Sequence, residues 1–112
     1  MITIDFITIK LNTLRKTVEK GYTMIICNNA IENIELIKHS DPLDLWFHSC
    51  VANSNINIIL KCHGEFISPF YLHEIKTKID KENIVMYTEV KNLIFKEESP
   101  GMIFPENIKL LK

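Results

Sequence analysis

Apolar and polar residues in the first quarter of the chain predict a strand, a helix and a second strand. The segment Ile2–Ile9 is rich in β-branched residues and alternates in part, which indicates a strand. Apolar residues then recur at helical spacing, which predicts a helix over Leu11–Lys20 with Gly21 at its stop position. The short apolar run Tyr22–Cys27 is typical of a buried strand.

Two consecutive helices are predicted next. The first covers Ala30–His39, where isoleucines recur on one side. The second begins at Asp41, an N-cap candidate, because Pro42 suits the first helical position and Asp44 stands where a capping-box acid would stand. The asparagines from Asn53 onward end this second helix.

The second half of the chain predicts three strands and two further helices. Ile56–Cys62 is the strongest strand in the sequence, and Ser68–Ile79 is a helix with a serine cap followed by proline. Ile84–Val90 and Asn92–Lys96 are predicted to form a hairpin, and Pro105 to begin a short C-terminal helix.

This order of elements predicts a small layered domain of the α/β or α+β class that spans residues 1–112. The expected architecture is a mixed, partly parallel sheet of about five strands with three to four helices. The chain has 112 residues, of which 46% are apolar and 24% charged, so one core without disulfides or a metal suffices.

The charge and the cysteines of the chain limit the kinds of partner and the cellular compartment that we expect. The net charge is −1 and Arg15 is the sole arginine, which disfavours nucleic-acid binding. Three unevenly spaced cysteines argue against a disulfide framework and for a reducing compartment. Asp5 interrupts the N-terminal apolar stretch, and no apolar run approaches the roughly 18 residues of a membrane span, so we expect a cytoplasmic protein. The Ile, Asn and Lys bias suggests an AT-rich genome, such as that of a low-GC bacterium or a virus.

His63 is the strongest candidate for catalysis, because a buried strand delivers it to its carboxyl end, where ligands collect in open α/β sheets. The segment Ile58–Glu65 resembles the strand-then-His-Gly element of caspase-like cysteine peptidases, and Met24–Asn29 resembles an earlier strand of that fold. That family places its nucleophilic cysteine after the next strand, whereas no cysteine follows Cys62 here. The resemblance therefore implies a related topology without the peptidase chemistry.

Metal and cofactor sites are not predicted. His48, Cys50, Cys62 and His63 are ligand types that zinc accepts, but no closely spaced pair occurs among them. The three glycines are isolated, so no glycine-rich phosphate loop is present.

The sequence favours a non-catalytic protein-binding module that neutralises or regulates a partner, such as a bacterial immunity protein that inhibits a basic toxin. The aromatic residues around Trp46 and Phe70 are expected to form core, whereas Phe66 is expected to be exposed. The candidate binding residues are carboxylates and one aromatic side chain: Asp41, Asp44, Glu65, Phe66, Glu97 and Glu98.

Two alternatives remain open. One is a small enzyme that uses His63 with Cys62 or Glu65 nearby, although adjacent strand residues point to opposite faces. The other is a homo-oligomeric structural or regulatory domain, whose seam is the strand pair after Ile84 or the apolar C-terminal tail.

Overall fold

The computed structural model describes residues 15–19, 22–27, 30–51, 56–98 and 102–112. Within these ranges there are two α-helices, one 3-10 turn and eight strands. In chain order the elements are β1 (Arg15–Glu19), β2 (Tyr22–Cys27), α1 (Ala30–Lys38), β3 (Leu45–Ser49), β4 (Asn57–Lys61), α2 (Pro69–Ile79), β5 (Val85–Glu89), the 3-10 turn (Val90–Asn92), β6 (Leu93–Ile94), β7 (Phe104–Pro105) and β8 (Lys109–Leu111).

The main sheet has six strands in the order β1-β2-β4-β3-β5-β8, and every neighbouring pair in it is antiparallel. Helix α1 connects β2 to β3, and β4 then returns between these two strands. Strands β6 and β7 form a separate two-stranded sheet. The fold is a small α+β domain, as predicted. The described residues contain no parallel pairing and two helices rather than three to four, so those details of the prediction were wrong.

Helices cover both faces of the sheet, because successive strand residues point to opposite faces and both sets are apolar. On one face, Tyr71, Leu72 and Ile75 of α2 pack with the following buried strand residues: Met24, Phe47, Ile58, Leu60 and Val85. On the opposite face, Leu36 and Ile37 of α1 pack with the following: Ile25, Cys27, Trp46 and Ile59. Each such side chain contributes about 1.5–3 kcal/mol on burial, so this two-sided core is the main source of stability.

Several predicted elements are confirmed. The strands β2, β4 and β5 lie within their predicted ranges, and α1 and α2 follow their apolar spacing. The start of α2 also has the predicted chemistry, because the Ser68 hydroxyl accepts the backbone N–H of Tyr71 at 3.2 Å and Pro69 occupies the first turn.

Two predicted helices are strands in the structure. Part of the helix expected over Leu11–Lys20 is β1, which pairs with β2 from Arg15 opposite Ile26 to Glu19 opposite Tyr22. The helix expected from Asp41 is instead a turn that leads into β3, which pairs on one side with β4 and on the other with β5. In both cases pairing with another strand outweighs a local helical pattern.

The C-terminal region also differs from its prediction. The strand expected over Asn92–Lys96 is shortened to Leu93–Ile94, and it pairs with β7 rather than with β5. Pro105 belongs to β7 and begins no helix, and β8 pairs with β5 instead. The predicted strand Ile2–Ile9 lies outside the described residues.

The Asp80 carboxylate connects the end of α2 to the end of β3. It accepts the Ser49 hydroxyl at 2.9 Å and the backbone N–H groups of Glu82 and Asn83 at 3.1 and 3.0 Å. Desolvation alone would raise the pKa of Asp80, but the hydrogen bonds from Ser49 and Asn83 outweigh it and lower the pKa below its ordinary value. Asp80 therefore stabilises this connection in its charged form.

We predict that Asp80→Asn removes a pH-dependent part of the free energy of unfolding. The unfolded pKa is about 3.9 and the folded pKa is lower, so the carboxylate stabilises the fold above about pH 4 and loses this effect as the pH falls through the folded pKa. The difference between wild type and variant in urea unfolding should shrink as the pH is lowered from 7 to about 2. The exposed Glu82→Gln is the matched control, and a difference that stays constant with pH would contradict the assignment.

Candidate functional site

A buried carboxylate joins the loop before β3 to the turn after β4. Asp44 is fully buried, and its carboxylate forms an ion pair with the ammonium group of Lys61. It also accepts the backbone N–H groups of Asp41 and His63, each at 3.0 Å. A buried charge is tolerated when it is paired and hydrogen-bonded, and Asp44 has both kinds of partner. We call this arrangement of Asp41, Asp44, Lys61 and His63 the Asp44 joint.

Backbone hydrogen bonds extend the joint to a third segment. The N–H of Gly64 donates to the carbonyl of Leu43 at 3.2 Å. On the other side, the N–H groups of Val90 and Lys91 donate to the carbonyls of Asp44 and Pro42, each at 2.9 Å. The loop before β3 is therefore held between the turn after β4 and the 3-10 turn after β5.

The turn after β4 has a conformation that demands glycine at one position. Gly64 has a φ of 87°, and a Cβ at this residue would lie 3.0 Å from Leu43 Cδ1. His63 also has a positive φ, 50°, which is uncommon for a residue with a side chain. Its hydrogen bond to Asp44 accompanies this strained conformation.

The His63 side chain is 62% exposed, and its Nδ1 lies 3.2 Å from Asp41 Oδ2. The pKa of Asp41 is lowered, first by the backbone N–H of Leu43 and then by the hydrogen bond with His63. Cys62 points the other way into the core, where burial raises the pKa of its thiol. The structure thus brings His63 and Asp41 together and keeps Cys62 away from the ring of His63.

Three side chains at the Asp44 joint are of types that can bind a metal ion. Donor atoms of Asp41, Asp44 and His63 lie within 4.8 Å of one another. However, Lys61 already supplies a positive charge to the Asp44 carboxylate, which leaves no uncompensated buried charge there. The joint is explained as a structural connection without an ion.

The chain just beyond the joint exposes two aromatic side chains. Phe66 is 82% exposed, as predicted, and Phe70 in the first turn of α2 is 75% exposed. The prediction that Phe70 forms core was wrong, because α2 buries the face that contains Tyr71, Leu72 and Ile75. Exposed phenylalanine rings forgo burial energy, and such residues are common anchors of protein interfaces. We call residues Phe66–Phe70 the aromatic segment.

Phe66 stands between two surface depressions. The larger, of about 360 Å³, also contacts Glu65, Tyr87 and Lys109, and the smaller, of about 240 Å³, is bounded by Tyr22 and Tyr71. A third depression of about 330 Å³ continues from the larger one, because both include Tyr87 and Lys109. The three depressions are neighbours, because each shares lining residues with the next, and we call them together the groove.

The candidate binding residues from the sequence do not form one continuous surface in the structure. Asp41 and Glu65 lie on the two loops that the joint connects, and Phe66 follows Glu65. Asp44 is buried, so its assignment to a binding surface was wrong, and its charge is instead paired with Lys61. Glu97 and Glu98 are exposed in a turn after β6, and neither lines the groove as the described residues define it.

Sequence reasoning missed Lys61 and Lys109. Lys61 is the last residue of the largely apolar strand β4. Its pairing with Asp44 could have been predicted only from the burial of Asp44, which the sequence does not reveal. Lys109 was assigned to a C-terminal helix, whereas in β8 its ammonium group lies 6.0 Å from the centre of the Tyr87 ring.

Comparisons with known proteins show the fold. No protein-family model and no curated protein matches the chain. Seven chains of solved structures match it, including the C-terminal part of the fibronectin/fibrinogen-binding protein from Streptococcus suis. That match has 18% sequence identity and a TM-score of 0.68, and it covers 88% of this chain but 43% of the other. The chain thus spans under half the length of that structure. Within the described ranges, no helix is long and apolar enough to cross a membrane.

We predict that Asp44→Asn lowers the free energy of unfolding by about 3–5 kcal/mol, because Lys61, whose side chain is 13% exposed, then lacks its charged partner. The double variant Asp44→Asn/Lys61→Met should lose less than the sum of the two single changes, with a coupling of about 1–3 kcal/mol. Urea unfolding of the four proteins measures this coupling. An Asp44→Asn variant within about 0.5 kcal/mol of wild type would contradict the role of the joint.

Proposed function

We propose that this chain is a protein-binding module whose contact surface is the aromatic segment and the groove beside it. The observation that carries the proposal is the exposure of Phe66 and Phe70, 82% and 75%, in a domain that buries Trp46, Phe47 and Tyr71. Adjacent exposed apolar side chains mark interaction sites. Aromatic anchors dominate the energetics of many protein interfaces.

The rigid scaffold under this surface supports the proposal. The aromatic segment begins two residues after the Gly64 turn and ends in the capped first turn of α2. The Asp44 joint fixes the turn, and the Ser68 cap fixes the helix start. A surface whose backbone is held at both ends loses less entropy on binding than a free loop does.

The structural neighbour belongs to a fibronectin/fibrinogen-binding protein, which agrees with a protein-binding role for this chain. A finer version of the proposal is an immunity protein that inhibits a basic bacterial toxin, for which Asp41 and Glu65 would supply carboxylates. Electrostatic attraction of that kind speeds association more than it strengthens the complex.

A non-catalytic role also agrees with the site. The enzyme alternative requires a group that acts with His63, and Cys62 is buried with a raised pKa. The carboxylate nearest His63, that of Asp41, accepts the Leu43 N–H at 2.8 Å as well. This bond is the pattern of an Asx turn, in which an aspartate caps its own loop.

We predict that the double variant Phe66→Ser/Phe70→Ser strongly reduces binding of the partner but folds as wild type does. Tagged wild type and variant are incubated with nuclease-treated extract of the native host, and retained proteins are identified by mass spectrometry at low and high salt. Wild type should retain one protein in stoichiometric amount. The variant should bind that protein about 30-fold more weakly, which corresponds to loss of about 2 kcal/mol of binding free energy from the two phenylalanines.

The matched control is Met102→Ser, which changes an apolar side chain that is also exposed but does not border the groove described above. Retention of the same protein by the double phenylalanine variant would contradict the proposal. So would a protein that is retained from untreated extract but not from the nuclease-treated extract, since nucleic acid would then be the ligand. If the tagged protein retained only further copies of the same chain, the homo-oligomer would be favoured. The exposed Leu110 of the edge strand β8 would then be the first residue to substitute.

A further inference from the structure

We infer that the groove accepts an extended peptide segment of the partner, which places a basic side chain at Glu65, an apolar side chain against Phe66 and an acidic side chain at Lys109. This inference rests on the proposed function and specifies the chemistry of the segment that is bound. It follows from the acidic and basic groups that line the larger depression and from the apolar side chains that line it with them.

Glu65 is an acidic group on the lining of the larger depression. It is exposed, its Oε2 accepts the Tyr22 hydroxyl at 2.7 Å, and its backbone N–H donates to the Cys62 carbonyl at 2.9 Å. The carboxylate is therefore held in place at the surface. Asp41 lies on the neighbouring loop, while Lys61 is already paired with Asp44 and does not offset the charge of Glu65. A cationic side chain is the complementary group for Glu65.

The larger depression also has a basic group on its lining. Lys109 lies over the Tyr87 ring and borders this depression and the third one. Glu89 borders the same two depressions, and its carboxylate faces the ammonium group of Lys91 at 3.7 Å, which offsets much of its charge. An acidic side chain of a bound segment is the complement of Lys109.

The same depression also has apolar side chains on its lining. Leu43, Leu45 and Phe66 line it together with Glu65 and Lys109. Leu43 is 39% exposed, and its position is fixed by the hydrogen bond that its carbonyl accepts from Gly64. An apolar side chain of a bound segment would find its contacts here and would cover part of the Phe66 ring.

Opposite charges on the lining of one depression would fix the direction in which the segment binds. The amide side chains in the third depression are not counted as contacts of the segment, because they already have partners. Asn92 Nδ2 donates to Thr88 Oγ1 at 3.1 Å, and Asn107 Nδ2 donates to Asn92 Oδ1 at 3.4 Å.

The test is a selection of phage-displayed random 12-residue peptides on immobilised wild-type protein. Enriched peptides are expected to share a basic residue, a central apolar residue and an acidic residue, in one order. These peptides should bind Glu65→Lys about fivefold more weakly than wild type, since an exposed ion pair contributes up to about a factor of five. Replacing the basic residue of the peptide by glutamate should restore binding to Glu65→Lys. Glu82→Lys, which makes the same change at an exposed glutamate in another turn, should bind as wild type does.

The outcomes separate this inference from the proposed function. Peptides that need Phe66 but show no charge preference, or no rescue by the charge exchange, would overturn the inference and leave the binding module standing. Peptides that bind Phe66→Ser as well as wild type would overturn both. No enrichment at all, or binding of a single-stranded oligonucleotide that depends on Lys109 in place of peptide binding, would also overturn the inference.

Discussion

The buried Asp44 carboxylate is the interaction on which the functional surface depends. A fully buried charge must be compensated, and here the compensation comes from a side chain and two backbone groups on two different stretches of chain: the ammonium group of Lys61 and the N–H of His63 on one, and the N–H of Asp41 on the other. Because these partners must converge on one carboxylate, the loop before β3 and the turn after β4 have one relative position. The turn conformation at His63 and Gly64 follows from this convergence, and it directs Glu65 and Phe66 to the surface.

The scaffold and the surface obey different constraints. The antiparallel sheet is apolar on both faces, and the helices on either side bury Phe47 and Ile58 on one face and Trp46 and Ile59 on the other. This part of the molecule serves stability. The loops at one end of the sheet hold the exposed aromatic and charged groups, as is usual for binding sites placed on a rigid framework. The Asp44 joint connects the two parts, because Lys61 is the last residue of a core strand.

The sequence predicted those elements whose signals are local. The serine-proline start of α2 and the apolar run of β4 have patterns complete within a few residues, and both were correct. The segment from Asp41 to Asp44 fits a helix start and an Asx turn equally well, and only burial of Asp44 against Lys61 separates the two. Strands β1 and β3 were missed for a related reason, since pairing sets their identity: β1 pairs with β2, the next strand, and β3 pairs with β4 and with the more distant β5. Exposure of Phe66 could be predicted from its place after a His-Gly turn. Exposure of Phe70 could not, because it depends on which side of α2 meets the sheet.

Amide hydrogen exchange of the unmodified protein, followed residue by residue by NMR, tests the joint most directly. The N–H groups of Asp41 and His63 lie in loops, yet each donates to a buried carboxylate. They should exchange at rates close to those of the β4 amides, since opening them requires exposure of the Asp44–Lys61 pair. Exchange of both amides at the rate of an unstructured peptide, with β4 still protected, would contradict the account in which this carboxylate positions the functional surface.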